Sequence, residues 1–244
     1  MVNIYLRELF KSREGKFILG KLDGKVALVT GAGTGLGRAI AITFAKEGAT
    51  VVLNGRREDK LREVEKEIGD HAIVIPADMA DEAGVKGLVE KLQTQTNGKL
   101  DILVNNAGGV NAMGKVDEMT LEQWKKMLDL NLFTQVLATR ELLPILRESK
   151  SGKLISVTSG MVNFFMEGMG AYSATKAAAE KMMKTVAEEE KDTGVQVNMF
   201  DPLNAISEGN PQGQYDPMDI VGVLVDLAAA PGVEKHGEII KPEV

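Results

Sequence analysis

The chain has 244 residues, with no cysteine, two histidines, 26 glycines, a formal net charge of −6 and a hydrophobic fraction of 44%. This excludes disulfides, thiolate nucleophiles and Cys-held zinc or iron–sulfur centres, and leaves only His71 and His236 as imidazoles, neither in an HExxH or GxSxG context, so no metal site is expected. The acidic balance speaks against nucleic acid, and no uncharged apolar run reaches the roughly 18 to 20 residues of a membrane span; the expectation is a soluble, cytoplasmic protein with no membrane partner.

Residues 1 to 22 carry a charge of +3, leaving −9 for the remainder. Ile4, Leu6, Leu9 and Phe10 fall on one face of a short helix, which predicts an N-terminal arm docking near the ligand pocket or on a neighbouring subunit. Residues 23 to 244 are expected to form one domain, since the length suits a single fold of the larger kind.

From Lys25 onward, short apolar β-branched runs alternate with longer stretches whose apolar residues recur at three and four. Strands are predicted at Val26 to Thr30, Thr50 to Asn54, Ala72 to Pro76, Ile102 to Asn105, Lys153 to Thr158, Val195 to Phe200 and Glu238 to Lys241. Helices are predicted at about 36 to 48, 58 to 68, 81 to 95, 121 to 147, 171 to 192 and 217 to 229. Continuous apolar runs such as Val26-Ala27-Leu28-Val29 require cover on both faces. The expected fold class is therefore α/β, a doubly wound, seven-stranded parallel sheet with its ligand crevice at the carboxyl ends of the strands.

After the first predicted strand comes Thr30-Gly31-Ala32-Gly33-Thr34-Gly35-Leu36-Gly37, opening into a helix near Arg38. Glycines here let the chain turn tightly, approach a pyrophosphate closely and aim a helix N-terminus at it. Spacing alone is a weak sign, because an ordinary tight turn uses glycine too; the position between a buried strand and a helix strengthens it. The second strand ends Asn54-Gly55-Arg56-Arg57, with no carboxylate for the ribose hydroxyls and two guanidiniums for a 2′-phosphate. NADP(H) is expected as the preferred cofactor, with NAD(H) as the alternative, unless the arginines are plain solvated helix-start residues.

Of the three tyrosines, only Tyr172 has a lysine four residues on, Lys176, which puts phenol and ammonium one helical turn apart. A phenol titrates near 10, and the neighbouring lysine cation together with the positive charge of an oxidised nicotinamide is expected to bring it toward neutrality, where it can serve as acid or base.

These motifs together resemble those of the short-chain dehydrogenase/reductase family, in its compact single-domain branch with a Rossmann fold, over about residues 24 to 244. The glycine turn has the Thr-Gly-x-x-x-Gly-x-Gly form, Asn105-Asn106-Ala107-Gly108 closes the fourth strand, and Ser159 and Tyr172 follow in order. The resemblance implies hydride transfer between a nicotinamide and a small-molecule carbonyl or alcohol, as in a 3-oxoacyl reductase-like enzyme or a general ketone or aldehyde reductase. It assigns catalysis to Asn131, Ser159, Tyr172 and Lys176: Ser159 and Tyr172 hold the carbonyl oxygen, Tyr172 transfers the proton, Lys176 lowers the phenol and holds the nicotinamide ribose, and Asn131 anchors a water leading to solvent. It assigns cofactor contacts to Gly31, Gly33, Thr34, Gly35, Leu36, Gly37, Arg56, Arg57, Asp78, Met79, Asn106, Ala107, Gly108, Tyr172, Lys176, Pro202, Leu203, Ala205 and Ser207. It also implies a homodimer or homotetramer through the 121 to 147 and 171 to 192 helices.

Two features depart from the family pattern. Leu203 stands where a glycine follows the proline, so its φ is negative or the turn is strained. The stretch from Leu203 to Pro217 is short for a substrate lid, whereas Met161, Val162, Phe164, Phe165, Met166 and Met169 are placed to wall an apolar pocket; Glu167 among them has no assigned role. The departures keep a second reading open, a catalytically weak or inactive nucleotide-binding regulator of the same fold. A purely structural acidic protein would not explain the glycine turn.

Overall fold

The computed structural model describes residues 20–232 and 234–244. Seven strands form one all-parallel sheet: β1 (Val26–Val29), β2 (Thr50–Gly55), β3 (Ala72–Pro76), β4 (Ile102–Asn105), β5 (Lys153–Val157), β6 (Gln196–Phe200) and β7 (Ile239–Ile240), in the order β3-β2-β1-β4-β5-β6-β7. The expected doubly wound sheet is present. The order reverses between β1 and β4, which opens a crevice beyond their carboxyl ends.

Helices cover both faces, and the apolar strands divide their side chains between them. Ala27 and Val29 of β1 join one core with α1 (Gly35–Lys46), α2 (Glu58–Ile68), α7 (Pro217–Ile220) and α8 (Gly222–Ala229). Val26 and Leu28 join the other with α3 (Glu82–Thr96), α5 (Thr134–Glu148) and α6 (Gly170–Glu190). The period-2 alternation of a strand thus explains why an unbroken apolar run is needed.

The single helix expected over 121 to 147 is instead α4 (Leu121–Leu128), a π segment (Asp129–Phe133) and α5. An extra residue in the turn breaks the helical register at Asn131, which is fully buried. The helix expected over 217 to 229 is likewise divided at Val221 into α7 and α8.

Of the expected N-terminal arm of residues 1 to 22, residues 1–19 lie outside the described residues. Lys21 and Leu22, at the end of that segment, are anchored on the domain: their N–H groups donate to Glu47, and Leu22 is in the core. His71 closes a short 3₁₀ turn after α2, and His236 clips α6 to β6, its Nε2 meeting the Ala187 carbonyl at 2.6 Å while its Nδ1 accepts from Val197 N–H. Neither histidine is at the crevice, consistent with proton transfer being left to another side chain. Among the described residues, no helix is long and apolar enough to cross a membrane.

Candidate active site

The loops after β1 and β4 are stitched together at the crevice. Thr30 Oγ1 accepts from the N–H groups of Asn106 and Ala107 at 2.9 and 3.0 Å, and Asn106 Nδ2 donates to the Thr30 carbonyl at 2.8 Å. A methyl group on Gly37 would overlap the Gly31 carbonyl and the Asn106 amide, and one on Gly31 would sit 3.0 Å from Asn106 Nδ2. Gly31 and Gly37 are therefore required by close backbone approach, and Gly31 and Gly35 also have positive φ, 66° and 51°.

The turn leads into α1, whose N-cap Thr34 makes no side-chain cap and whose first turn carries no acidic residue. The first N–H groups are left facing the crevice, where a helix dipole favours negative charge. These residues fit the pyrophosphate of a dinucleotide.

At the far rim, Arg56 and Arg57 are exposed after β2, as a 2′-phosphate site needs. Arg57 is not free, however: its Nη2 donates to Glu208 at 2.6 Å and to Thr34 Oγ1 at 3.5 Å. This pairing raises the Arg57 pKa and lowers that of Glu208. Asp78 is exposed after β3 and its Oδ1 accepts from Ala80 N–H at 3.0 Å, whereas the Met79 side chain is buried in the core, leaving its backbone as the part able to meet a ligand.

On the other side of the switch point, α6 presents Tyr172 and Lys176 one turn apart, with the ammonium 6.0 Å from the phenol ring centre. Lys176 Nζ donates to the Val157 carbonyl at 2.8 Å and is buried, and burial pushes its pKa down to about 8. Burial also raises the Tyr172 phenol; Ser159 opposes this and the charge of Asp201 adds to it. The chain's own groups thus move the phenol up, because its burial disfavours the phenolate; the other cation on which the expected lowering rests is that of an oxidised nicotinamide. Burial therefore favours the protonated phenol.

Ser159 ends the strand side of the site, its Oγ accepting from Met161 N–H at 3.2 Å. Asn131 faces the same place from the π segment, where its Oδ1 accepts from Gly109 N–H at 2.8 Å and its Nδ2 donates to the Gly109 carbonyl at 2.9 Å. Gly108 lies between the two sides: a methyl there would sit 2.8 Å from Asn131 Oδ1 and 3.6 Å from Lys176 Nζ. Asn131, Ser159, Tyr172 and Lys176 therefore converge on one crevice, brought together from 45 residues of separation by the packing of α6 on β6 and on the π segment.

The stretch after β6 returns over the glycine turn. Leu203 has φ +56°, so the strained alternative holds; a non-glycine residue there costs about 1 to 3 kcal/mol. Pro202 and Ala205 are half-buried, and Ser207 lies above the turn, its Cβ 3.4 Å from where a methyl on Gly35 would be. The residues expected to wall the pocket divide. Met169 is buried, Met161 and Val162 are half-buried in a 3₁₀ turn, and Phe164, Phe165 and Met166 are exposed, Phe165 fully. With exposed Met113 and Val116 they form an apolar lip, closed by Gly114 N–H to the Gly168 carbonyl at 3.1 Å and by the Lys115–Glu167 ion pair at 3.2 Å. Glu167 thus has a partner the sequence did not reveal, as do Glu208 and Asp201, none of which sits in a recognisable motif.

The short chain dehydrogenase family profile matches residues 25–208. The chain is 33% identical over 229 residues to an uncharacterized oxidoreductase of Staphylococcus aureus (strain N315), covering 91% of this chain and 98% of that one. Among solved structures it is similar to a 3-ketoacyl-(acyl-carrier-protein) reductase from Brucella melitensis complexed with NADH, with TM-score 0.82 and 30% identity over 90% of this chain and 96% of that one. It is also similar to a short chain dehydrogenase from Shigella flexneri complexed with NADP, with TM-score 0.83 and 28% identity over 91% and 98% of the two chains.

Proposed function

The chain belongs to the short-chain dehydrogenase/reductase family and is an oxidoreductase of it; on that premise we propose that it is an NADP(H)-dependent carbonyl reductase or alcohol dehydrogenase acting on small, largely apolar ketones, aldehydes or their alcohols. The observation that carries the reading is the pairing of a half-buried Tyr172 with a buried Lys176, one turn apart and facing Ser159 across the crevice that holds the glycine turn. Bound there, the nicotinamide supplies or takes up a hydride.

Ser159 and Tyr172 donate hydrogen bonds to the carbonyl oxygen, and Tyr172 passes its proton to that oxygen as the alcohol forms. Lys176 holds the ribose side of the cofactor, and Asn131 fixes the Gly109 backbone beside it. The glycine turn and the first turn of α1 receive the pyrophosphate. Asn106, Ala107 and Gly108 floor the crevice, and Asp78 and the Met79 backbone meet the adenine. Pro202, Leu203, Ala205 and Ser207 close over the nicotinamide side.

Arg56 and Arg57 support NADP(H) over NAD(H), and the apolar lip supports a substrate of low polarity, 3-oxoacyl thioesters included. Assembly into a dimer or tetramer through α4, α5 and α6, and a cytoplasmic location, belong to the same reading. Cofactor titration followed by absorbance at the NADPH band against a panel of ketones and aldehydes tests it. The expected result is tighter NADPH than NADH binding and oxidation by at least one carbonyl compound. The strained Leu203 and the occupied Arg57 favour the second reading, an inactive nucleotide-binding regulator, and cofactor binding with no oxidation by any substrate would establish that instead.

A further inference from the structure

The buried carboxylate of Asp201 has no place in the proton path, yet it lies against two parts of the site and an ion-pair partner. It follows β6 directly, is 3% exposed, and its own N–H donates to the Ile240 carbonyl at 2.9 Å. Oδ1 accepts from Leu203 N–H at 3.0 Å, an aspartate side chain capping the backbone two residues on. Oδ2 faces Lys241 Nζ at 3.3 Å and lies 3.7 Å from where a methyl on Gly160, next to Ser159, would be.

Two facts need a common cause. Leu203 sits in the left-handed region, which a leucine leaves unless something holds it. A carboxylate is buried against Gly160, next to Ser159, where an apolar residue would sit at lower desolvation cost. We propose that Asp201, charge-paired with Lys241, is a positioning residue that couples the cofactor-side turn at Leu203 to the Ser159–Tyr172 site. The inference rests on the function proposed above.

The side-chain bond keeps Leu203 left-handed, and that turn directs the chain so that Ser207 lies over Gly35. The same carboxylate lies at the end of β6 against Gly160, next to Ser159, and its charge favours the protonated phenol. The charged and titratable groups around the phenol are Lys176 on its own helix, Asp201 after β6 and Lys241 paired to Asp201 after β7, with the Ser159 hydroxyl after β5.

Three variants of the full-length protein separate the two effects. Asp201→Asn keeps the Oδ1 acceptor and removes the charge; Asp201→Ala removes both; Asp201→Ala with Leu203→Gly supplies a residue at home in the left-handed region. NADPH affinity by fluorescence titration and thermal midpoint are measured for each, and the pH profile of carbonyl reduction for the first. Asp201→Ala is expected to lose NADPH affinity by about fivefold or more, and the double variant to regain most of it. Asp201→Asn is expected to bind within about twofold of the parent, with the alkaline fall of its reduction rate moved to lower pH.

Unchanged cofactor affinity in Asp201→Ala, no recovery in the double variant, or an unmoved pH profile in Asp201→Asn would overturn the proposal. The cofactor arm needs no turnover, so a failure of the reductase reading, seen as absent or Tyr172-independent turnover, is distinguishable from a failure of this one.

Discussion

Arg57 and Glu208 form an ion pair at 2.6 Å between residues 151 positions apart, joining the end of β2 to the stretch that returns over the glycine turn. If Arg57 receives the 2′-phosphate of NADP(H), Glu208 competes for the same guanidinium. Both side chains are more than half exposed, so the pair itself contributes little to stability and its effect is read in cofactor choice. Glu208→Gln is expected to tighten NADPH by about two- to fivefold. Arg57→Ala is expected to weaken NADPH about tenfold. Neither should move NADH affinity to the same degree, and equal effects on the two cofactors would refute the assignment.

The glycines of the crevice and of the helices answer to different physics. A methyl on Gly37 has no room between Gly31 and Asn106, so Gly37→Ala should destabilise the fold by about 1 to 3 kcal/mol and weaken cofactor binding. Gly87 in α3 has open space around its α-carbon, so Gly87→Ala should stabilise by about 0.5 to 1 kcal/mol, since alanine is the better helix former. Urea denaturation of both variants checks the opposite signs.

Burial of Lys176 predicts a pH-dependent stability. Its folded pKa, about 8, lies below the value of 10.5 that it has when free. Between these values the unfolded chain binds the proton that the folded chain lacks, so the Lys176 contribution to stability rises with pH across that window and the cost of burying its charge is felt in full below it. Stability curves of the parent and of Lys176→Met, measured at pH 7 and pH 10, should diverge in favour of the parent at the higher pH. Parallel curves would show that Lys176 is not desolvated as the structure has it.

The sheet was legible because burial on both faces imposes long apolar runs, and the glycine turn and the Tyr172–Lys176 spacing are local geometry. The strands fall within two residues of their expected ends, as hydrogen-bond fraying allows. What the residue pattern hid is non-local or one residue in size. The apolar period runs unbroken through Asp129-Leu130-Asn131-Leu132-Phe133, so nothing in it marks the extra residue of the π segment. The left-handed Leu203 comes with a bond from its N–H to Asp201, and Arg57 is paired with a glutamate in another part of the chain. The phenol is moved up by the chain's own groups because its burial disfavours the phenolate, which the Tyr172–Lys176 spacing does not show.

The central claim is that Tyr172 transfers the proton. Tyr172→Phe keeps the ring and its packing and removes only the hydroxyl. NADPH oxidation by the best carbonyl substrate, measured for this variant beside a fluorescence titration of NADPH, should show turnover reduced by at least about 100-fold and cofactor affinity within about twofold of the parent. Turnover equal to that of the parent would contradict the account.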